Sequence, residues 1–283
     1  MDEEDEDTRS QAKMMQLSVL RALVGIVDTL PQFLGPYLKN MLSPLAIPSE
    51  WLRSGGGEHE YAIKVAADRL EETLATRVPA RQLIPAASSC LVENASAKGM
   101  VAILSTLNAS VKATSGPNLS AQRPHLLRAA TFAFDFENTD ADRQKVMDDA
   151  TDLMLSLILK LSEVQLRQLY GKLRDWRGEL DKAEPQTRVM RRLAFWNLSS
   201  RLGKELRSIF LPCLSTVFTD AVDELVSSPP EENTYMSLQR WKLTIIILSF
   251  CSAIGARLFT TEPKTQRLTK VGRWKETASC GHR

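Results

Sequence analysis

The side chains able to do chemistry are few and scattered. Three histidines, His59, His125 and His282, accompany four cysteines, Cys90, Cys213, Cys251 and Cys280. Glu58-His59-Glu60 lacks the second histidine of a His-Glu-x-x-His zinc helix, in which two imidazoles must share one face a turn apart. The cysteines form no Cys-x-x-Cys pair and have no nearby histidine, so they read as reduced, buried thiols. Gly55-Gly56-Gly57 is followed by no Lys-Ser/Thr and preceded by no strand, which makes it a linker and not a phosphate loop. Asp135 with Glu137, and Glu71 with Glu72, would work as paired carboxylates only inside a pocket, and nothing in the sequence calls for one. The expectation is a non-enzyme without metal, cofactor or small-molecule substrate.

A cluster of cations is the better candidate for binding. Arg188, Arg191 and Arg192 share a helical face, Arg201, Lys204 and Arg207 cross the following turn, and Arg167, Lys172 and Arg174 lie one repeat earlier. Stacked repeats could align these into a positive ridge that meets RNA phosphates or an acidic protein surface, with salt-sensitive affinity and no base reading. The competing reading is a set of solvated faces and local ion pairs, for which Asp175, Glu179 and Glu205 stand ready. Trp176 and Trp196 read as core residues and not as platforms for bases.

The elements that must position these residues are helices. A 3.6-residue apolar period gives ten or eleven helices and no convincing strand. The first runs from about Gln11 to Leu30, and the second aligns Leu34, Tyr37, Leu38, Met41, Leu42 and Leu45. A third carries Ile63, Ala66, Leu70 and Leu74, and a fourth Ile84, Ala87, Leu91 and Val92. The third pair spans about 98–136, its first helix striped by Met100, Ile103, Leu104, Leu107 and Val111, with a Ser/Gly/Pro/Asn loop at 114–124 dividing it. The fourth pair has Val146, Ala150, Leu153, Met154, Leu157 and Leu161, then Leu166, Leu169, Tyr170, Leu173 and Leu180, joined by Ser162-Glu163-Val164-Gln165, which has the spacing of a capping box. A fifth pair covers Thr187–Leu202 and Leu206–Leu225.

A phrase of bulky apolar residues and proline marks helix starts at Phe33-Leu34-Gly35-Pro36, Leu83-Ile84-Pro85 and Phe210-Leu211-Pro212, with further openings near Pro124 and Leu169. The markers fall 49, 39, 45 and 43 residues apart. Helical units at roughly 40 to 47 residues are the mark of HEAT and armadillo arrays. The fold class expected is all-α: a HEAT-like α-solenoid of about five helix pairs plus a final helix. Its parts are an acidic disordered tip (1–10), repeats (11–226), a linker (227–234), an additional helix (235–260) and a basic, disordered tail (261–283). Each pair is too small to bury its own apolar face, so stability must come from stacking, and no cap is obvious at either end. The chain therefore reads as a piece of a longer solenoid or an incomplete gene model.

Composition agrees with a packed helical protein. The chain of 283 residues is 43% hydrophobic and only 6% aromatic, and 36 basic against 34 acidic residues leave a net charge of +2. That is far below the charge of a protein that coats nucleic acid. The acidic start does not read as a signal peptide. Leu243–Ile254 is apolar, but 12 residues fall short of the roughly 20 that cross a bilayer, so the chain reads as soluble, intracellular and without a membrane partner.

Lys160-Leu161-Ser162-Glu163, Leu166-Arg167, Leu169-Tyr170 and Asp175-Trp176 together resemble the C-terminal domain of the HEAT repeat-containing protein 1 family, also called U3 small nucleolar RNA-associated protein 10. Leu206-Arg207-Ser208-Ile209-Phe210-Leu211-Pro212 and Phe33-Leu34-Gly35-Pro36-Tyr37-Leu38 match further phrases of that family. Gln168 departs from its usual proline, and similarity fades beyond about Ser228. The resemblance implies a scaffold of the small-subunit processome in the nucleus and nucleolus, serving precursor ribosomal RNA processing and ribosomal DNA transcription. Its implied partners are other processome proteins, with precursor rRNA or the U3 small nucleolar ribonucleoprotein as further contacts. The alternative is a generic HEAT-repeat adaptor or transport scaffold that binds proteins only.

Overall fold

A computed structural model describes residues 3–46, 58–93, 96–136, 140–178, 185–206 and 214–227, with isolated positions at 245, 249 and 252. Every regular element among them is helical: α1 (Glu3–Thr29), α2 (Leu38–Ala46), α3 (Glu58–Arg77), α4 (Ala80–Glu93), α5 (Ala97–Ala113), α6 (Gly116–Leu119), α7 (Arg123–Phe134), α8 (Asp140–Ile158), α9 (Glu163–Gly178), α10 (Pro185–Leu206) and α11 (Leu214–Ser227). The chain forms two compact units, divided within α10 after Ala194.

The first unit is built as two layers of alternate helices. In one layer α1 packs on α3, α3 on α5 and α5 on α8; in the other α2 packs on α4 and α4 on α7. Phe134 of α7 and Trp176 of α9 extend the second layer, with ring centroids 5.8 Å apart. Between the layers α4 meets α5 and α7 meets α8. This pairwise stacking is the HEAT-like α-solenoid pattern that the 40-residue period implies.

Helix α5 shows why the array needs its neighbours. Met100, Ile103, Leu104, Leu107 and Val111 are all fully buried, and so are Thr106 and Ser110 on the adjoining arc. An arc this wide cannot be covered by one partner, and α3, α4 and α8 all contact it. The buried Thr106 hydroxyl donates to the carbonyl of Ala102 four residues back, so it needs no partner outside the helix. Each fully buried Leu or Ile contributes about 1.5–3 kcal/mol over an exposed one, which makes the inter-repeat contacts and not helix propensity the main source of stability.

Several expectations are corrected. Helix α1 begins at Glu3, within the acidic run; acidic residues suit the positive end of a helix dipole. The Phe33 phrase opens through two 3-10 turns, Pro31–Phe33 and Gly35–Tyr37, before α2 begins. Leu34, Leu38, Met41 and Leu42 are buried as expected, whereas Tyr37 is 62% exposed, since the tighter turns rotate it off the apolar face. Pro85 does not start a helix: it lies inside α4, which opens at Ala80 just after Pro79. Leu169 is likewise mid-helix in α9, whose opening is at Glu163. Pro124 does sit in the first turn of α7. The 114–124 loop is folded into α6 and a 3-10 turn, Ser120–Gln122.

In the second unit, Phe195 and Trp196 stack edge to face at 5.3 Å. Trp196 is fully buried, with Leu198, Leu202, Val217 and Ala221 in the same core. Phe210-Leu211-Pro212, the linker beyond Ser227, the bulk of the last helix at 235–260 and the tail at 261–283 lie outside the described residues. No helix among the described residues is long and apolar enough to cross a membrane.

Candidate interaction surface

Several of the motif residues are wired inward. At the end of α8 the Lys160 ammonium donates to the carbonyls of Val111, Lys112 and Thr114 at 2.6, 2.6 and 2.5 Å. These are carbonyls of the last turn of α5 and its flank, which have no acceptor role left inside the helix, so the lysine caps the negative end of α5 from a neighbouring repeat. Burial pushes the Lys160 pKa down from its ordinary value. The same contact explains Gly116: a Cβ there would stand 2.8 Å from the Lys160 carbonyl oxygen. Only glycine lets the α5–α6 turn close on the α8–α9 turn.

Next in sequence comes the capping box, and both of its legs are formed. The Ser162 amide donates to Gln165 Oε1 at 3.2 Å, and the Gln165 amide donates to Ser162 Oγ at 3.4 Å. The tight turn puts Leu166, Leu169, Tyr170 and Leu173 on the buried face of α9. Trp176, at the far end of that face, is half-buried against Phe134.

The cations of the expected ridge differ in their surroundings. Arg191 makes a two-pronged pair with Asp135, Nε to Oδ1 at 2.7 Å and Nη2 to Oδ2 at 2.8 Å. It also donates to the Trp176 carbonyl at 3.3 Å, and its guanidinium lies 5.3 Å from the centre of the Trp176 ring. With 17% and 26% of the two side chains exposed, this is a structural clamp joining α7, α9 and α10, and Arg191 is withdrawn from the expected surface. Arg167 pairs with Glu163 one turn earlier at 2.6 Å on the open face of α9. Lys172 and Arg174 are exposed on the same helix, while Arg188 and Arg192 are half-buried on α10. Arg201 and Lys204 belong to the second unit. Arg207 lies outside the described residues.

The two carboxylate pairs differ in their surroundings. Asp135 is occupied by Arg191, and Glu137 lies outside the described residues. Glu71 is turned into the first unit while Glu72 faces solvent. Burial raises the Glu71 pKa to about 7 despite a hydrogen bond with Ser105, and the charges of Asp68 and Asp149 add to the rise. Asp149 is raised as well, again first by burial. Among the described residues no group of three or more His, Cys, Asp or Glu could hold a metal. Cys90 is a buried thiol outside any disulfide.

Two surfaces escaped the sequence. The outer side of α1 carries Met15, Val19 and Ile26, all exposed, at near-helical spacing, and Leu30 and Phe33 continue the apolar run. The signal was present as a second apolar stripe opposite Leu17, Leu20, Val24 and Val27, the stripe that is buried. The other surface is a cleft of about 770 Å³ between the α3–α4 turn and the α5–α6 turn. Reading 114–124 as a plain divider hid it.

Residues 118–254 match the BP28CT (NUC211) domain. Over 244 residues the chain is 29% identical to HEAT repeat-containing protein 1 of Homo sapiens, covering 83% of this chain and 11% of that protein. It is 28% identical over 202 residues to HEAT repeat-containing protein 1 of Danio rerio, covering 69% of this chain and 9% of the relative. A HEAT repeat-containing protein 1 homolog of Drosophila melanogaster is 28% identical over 218 residues, 72% of this chain and 10% of its own length. The chain thus spans about a tenth of the length of the curated relatives it matches.

Proposed function

We propose, from the chain's place in the HEAT repeat-containing protein 1 family, that it is a non-enzymatic scaffold of nucleolar ribosome biogenesis. More finely, it serves the small-subunit processome, where it supports precursor rRNA processing and ribosomal DNA transcription. The observation that carries this reading is the match of residues 118–254 to the BP28CT (NUC211) domain, a stretch in which Lys160 ties one repeat to the next. Its partners are other processome proteins, reached through helix faces and turns, with precursor rRNA or the U3 ribonucleoprotein as further contacts. In this reading the basic side chains offered to phosphates are Arg167, Lys172 and Arg174 on the open side of α9, and Arg191 is not among them. The exposed stripe of α1 supports a scaffold, because apolar helix faces of this kind are where a further helix stacks.

The test is sedimentation of a tagged protein containing this chain through a gradient, together with its location in the cell. Migration with large pre-ribosomal particles and accumulation in the nucleolus are expected. Slow sedimentation as a free protein with diffuse cytoplasmic signal would favour the generic adaptor and defeat the reading.

A further inference from the structure

Successive turns along one edge of the first unit meet differently. The α5–α6 turn closes on the α8–α9 turn through Lys160 and Gly116, as described above. On its other side the same turn stands off from the α3–α4 turn and leaves the cleft of about 770 Å³, within the roughly 300–1,000 Å³ usual for ligand sites. One wall is Arg77, Pro79, Ala80 and Arg81; the facing wall includes Asn118 and Gln122.

The chemistry of the two walls is uneven. The lining holds two arginines and no carboxylate. Arg77 reaches Asp28 at 3.3 Å, but both partners are well exposed, so the pair exchanges readily with another anion. Arg81 is exposed and makes no ion pair among the described residues. The amides of Ala80 and Arg81 lie in the first turn of α4, where the helix itself provides no acceptor. That wall is therefore rich in donors and positive charge. Across from it, Gln122 is 91% buried, being 9% exposed, and its Oε1 has no hydrogen-bond partner. A buried acceptor left open costs free energy unless something donates to it.

We propose that this cleft is a docking site for an acidic peptide segment of a partner protein. Carboxylate side chains of the segment meet Arg77, Arg81 and the first amides of α4, while a main-chain N–H of the segment donates to Gln122 Oε1. Nucleic acid fits less well, because the lining contains no aromatic side chain on which a base could stack. The proposal rests on the scaffold reading only in taking the chain to act by binding.

The test is fluorescence anisotropy with the full 283-residue chain and three labelled probes: an octapeptide of alternating glutamate and serine, its lysine–serine counterpart, and an oligouridylate of equal negative charge. Saturable binding of the acidic peptide alone is expected. The double variant Arg77→Glu/Arg81→Glu should weaken it by at least about tenfold, and Gln122→Leu by about threefold or more, with unfolding midpoints close to the parent chain's. Both arginines are exposed, so the double variant should fold; Arg77→Gln/Arg81→Gln, with an intermediate loss, supplies a second reading. Absence of peptide binding, binding indifferent to both arginines, or tighter arginine-dependent binding of the oligouridylate would each overturn the proposal. Absence of acidic-peptide binding by the parent chain, with nucleolar accumulation of the tagged protein intact, would defeat the cleft and leave the scaffold reading standing.

Discussion

The α8–α9 turn and the α3–α4 turn occupy the same edge of the first unit and both present cations, yet they use them in opposite ways. Lys160 finds three carbonyls at the end of α5 and is absorbed by them. Arg77 and Arg81 face a gap in which the nearest turn has not closed. The deciding factor is the approach of the neighbouring backbone: on one side the Lys160 carbonyl comes so near Gly116 that an added Cβ would meet it at 2.8 Å, whereas the cleft separates the turns on the other. A basic residue in a helical array is thus structural where a helix C-terminus comes within reach, and available to a partner where none does. Lys160, which opens the phrase resembling the HEAT repeat-containing protein 1 family, falls in the first class.

Trp176 carries the greatest predicted cost. Trp176→Ala removes the packing on Phe134 and the face on which Arg191 rests, and it should cost about 3–4 kcal/mol of unfolding free energy in a urea titration. A cost near zero would mean that the α7–α9 contact does not support the fold. At the closed turn, Lys160→Met leaves three carbonyls without their donor, and Gly116→Ala drives a Cβ against the Lys160 carbonyl. Each should cost roughly 2 kcal/mol, and the pair should be non-additive because both act on one contact; additive losses would separate the two.

Glu71 sharpens the contrast between buried and open charge. The folded chain keeps its proton up to about pH 7, whereas the unfolded chain releases it near the ordinary 4.5. Folding therefore takes up a proton between those values, so the contribution is full below pH 4.5 and is lost as pH rises through 7. Asp149 acts in the same direction. Denaturation of the parent chain at pH 5 and pH 8 should show lower stability at pH 8, and Glu71→Gln should recover roughly 1–2 kcal/mol there. A variant whose pH dependence matched the parent's would contradict the burial of this carboxyl. The smallest effect belongs to the open face of α9: Arg167→Ala, losing an exposed pair with Glu163, should change stability by less than about 0.5 kcal/mol.

Much of the fold was legible because the signals were periodic. The stripe Met100, Ile103, Leu104, Leu107 and Val111 is fully buried, and the Ser162–Gln165 box forms as its spacing requires. What misled was punctuation. Proline is tolerated inside α4 at Pro85, so proline alone does not date a helix start. Glycine and proline at 116–117 read as a loop, although Pro117 sits in the first turn of a short helix and Gly116 serves a contact with a residue more than forty positions away. Pairings at such distance, Arg191 with Asp135 among them, leave no trace in local spacing, which is why Arg191 read as a surface cation.

The most direct test of the claim that Arg191 is built into the stack is a double-mutant cycle on Arg191→Ala and Asp135→Ala by urea denaturation. Each single variant should lose about 2–3 kcal/mol, and the double variant should lose little more than either alone, giving a coupling on the order of 2 kcal/mol that survives high salt. Single losses near zero and no coupling, with weaker binding of an RNA probe by Arg191→Ala, would return Arg191 to the surface and contradict it.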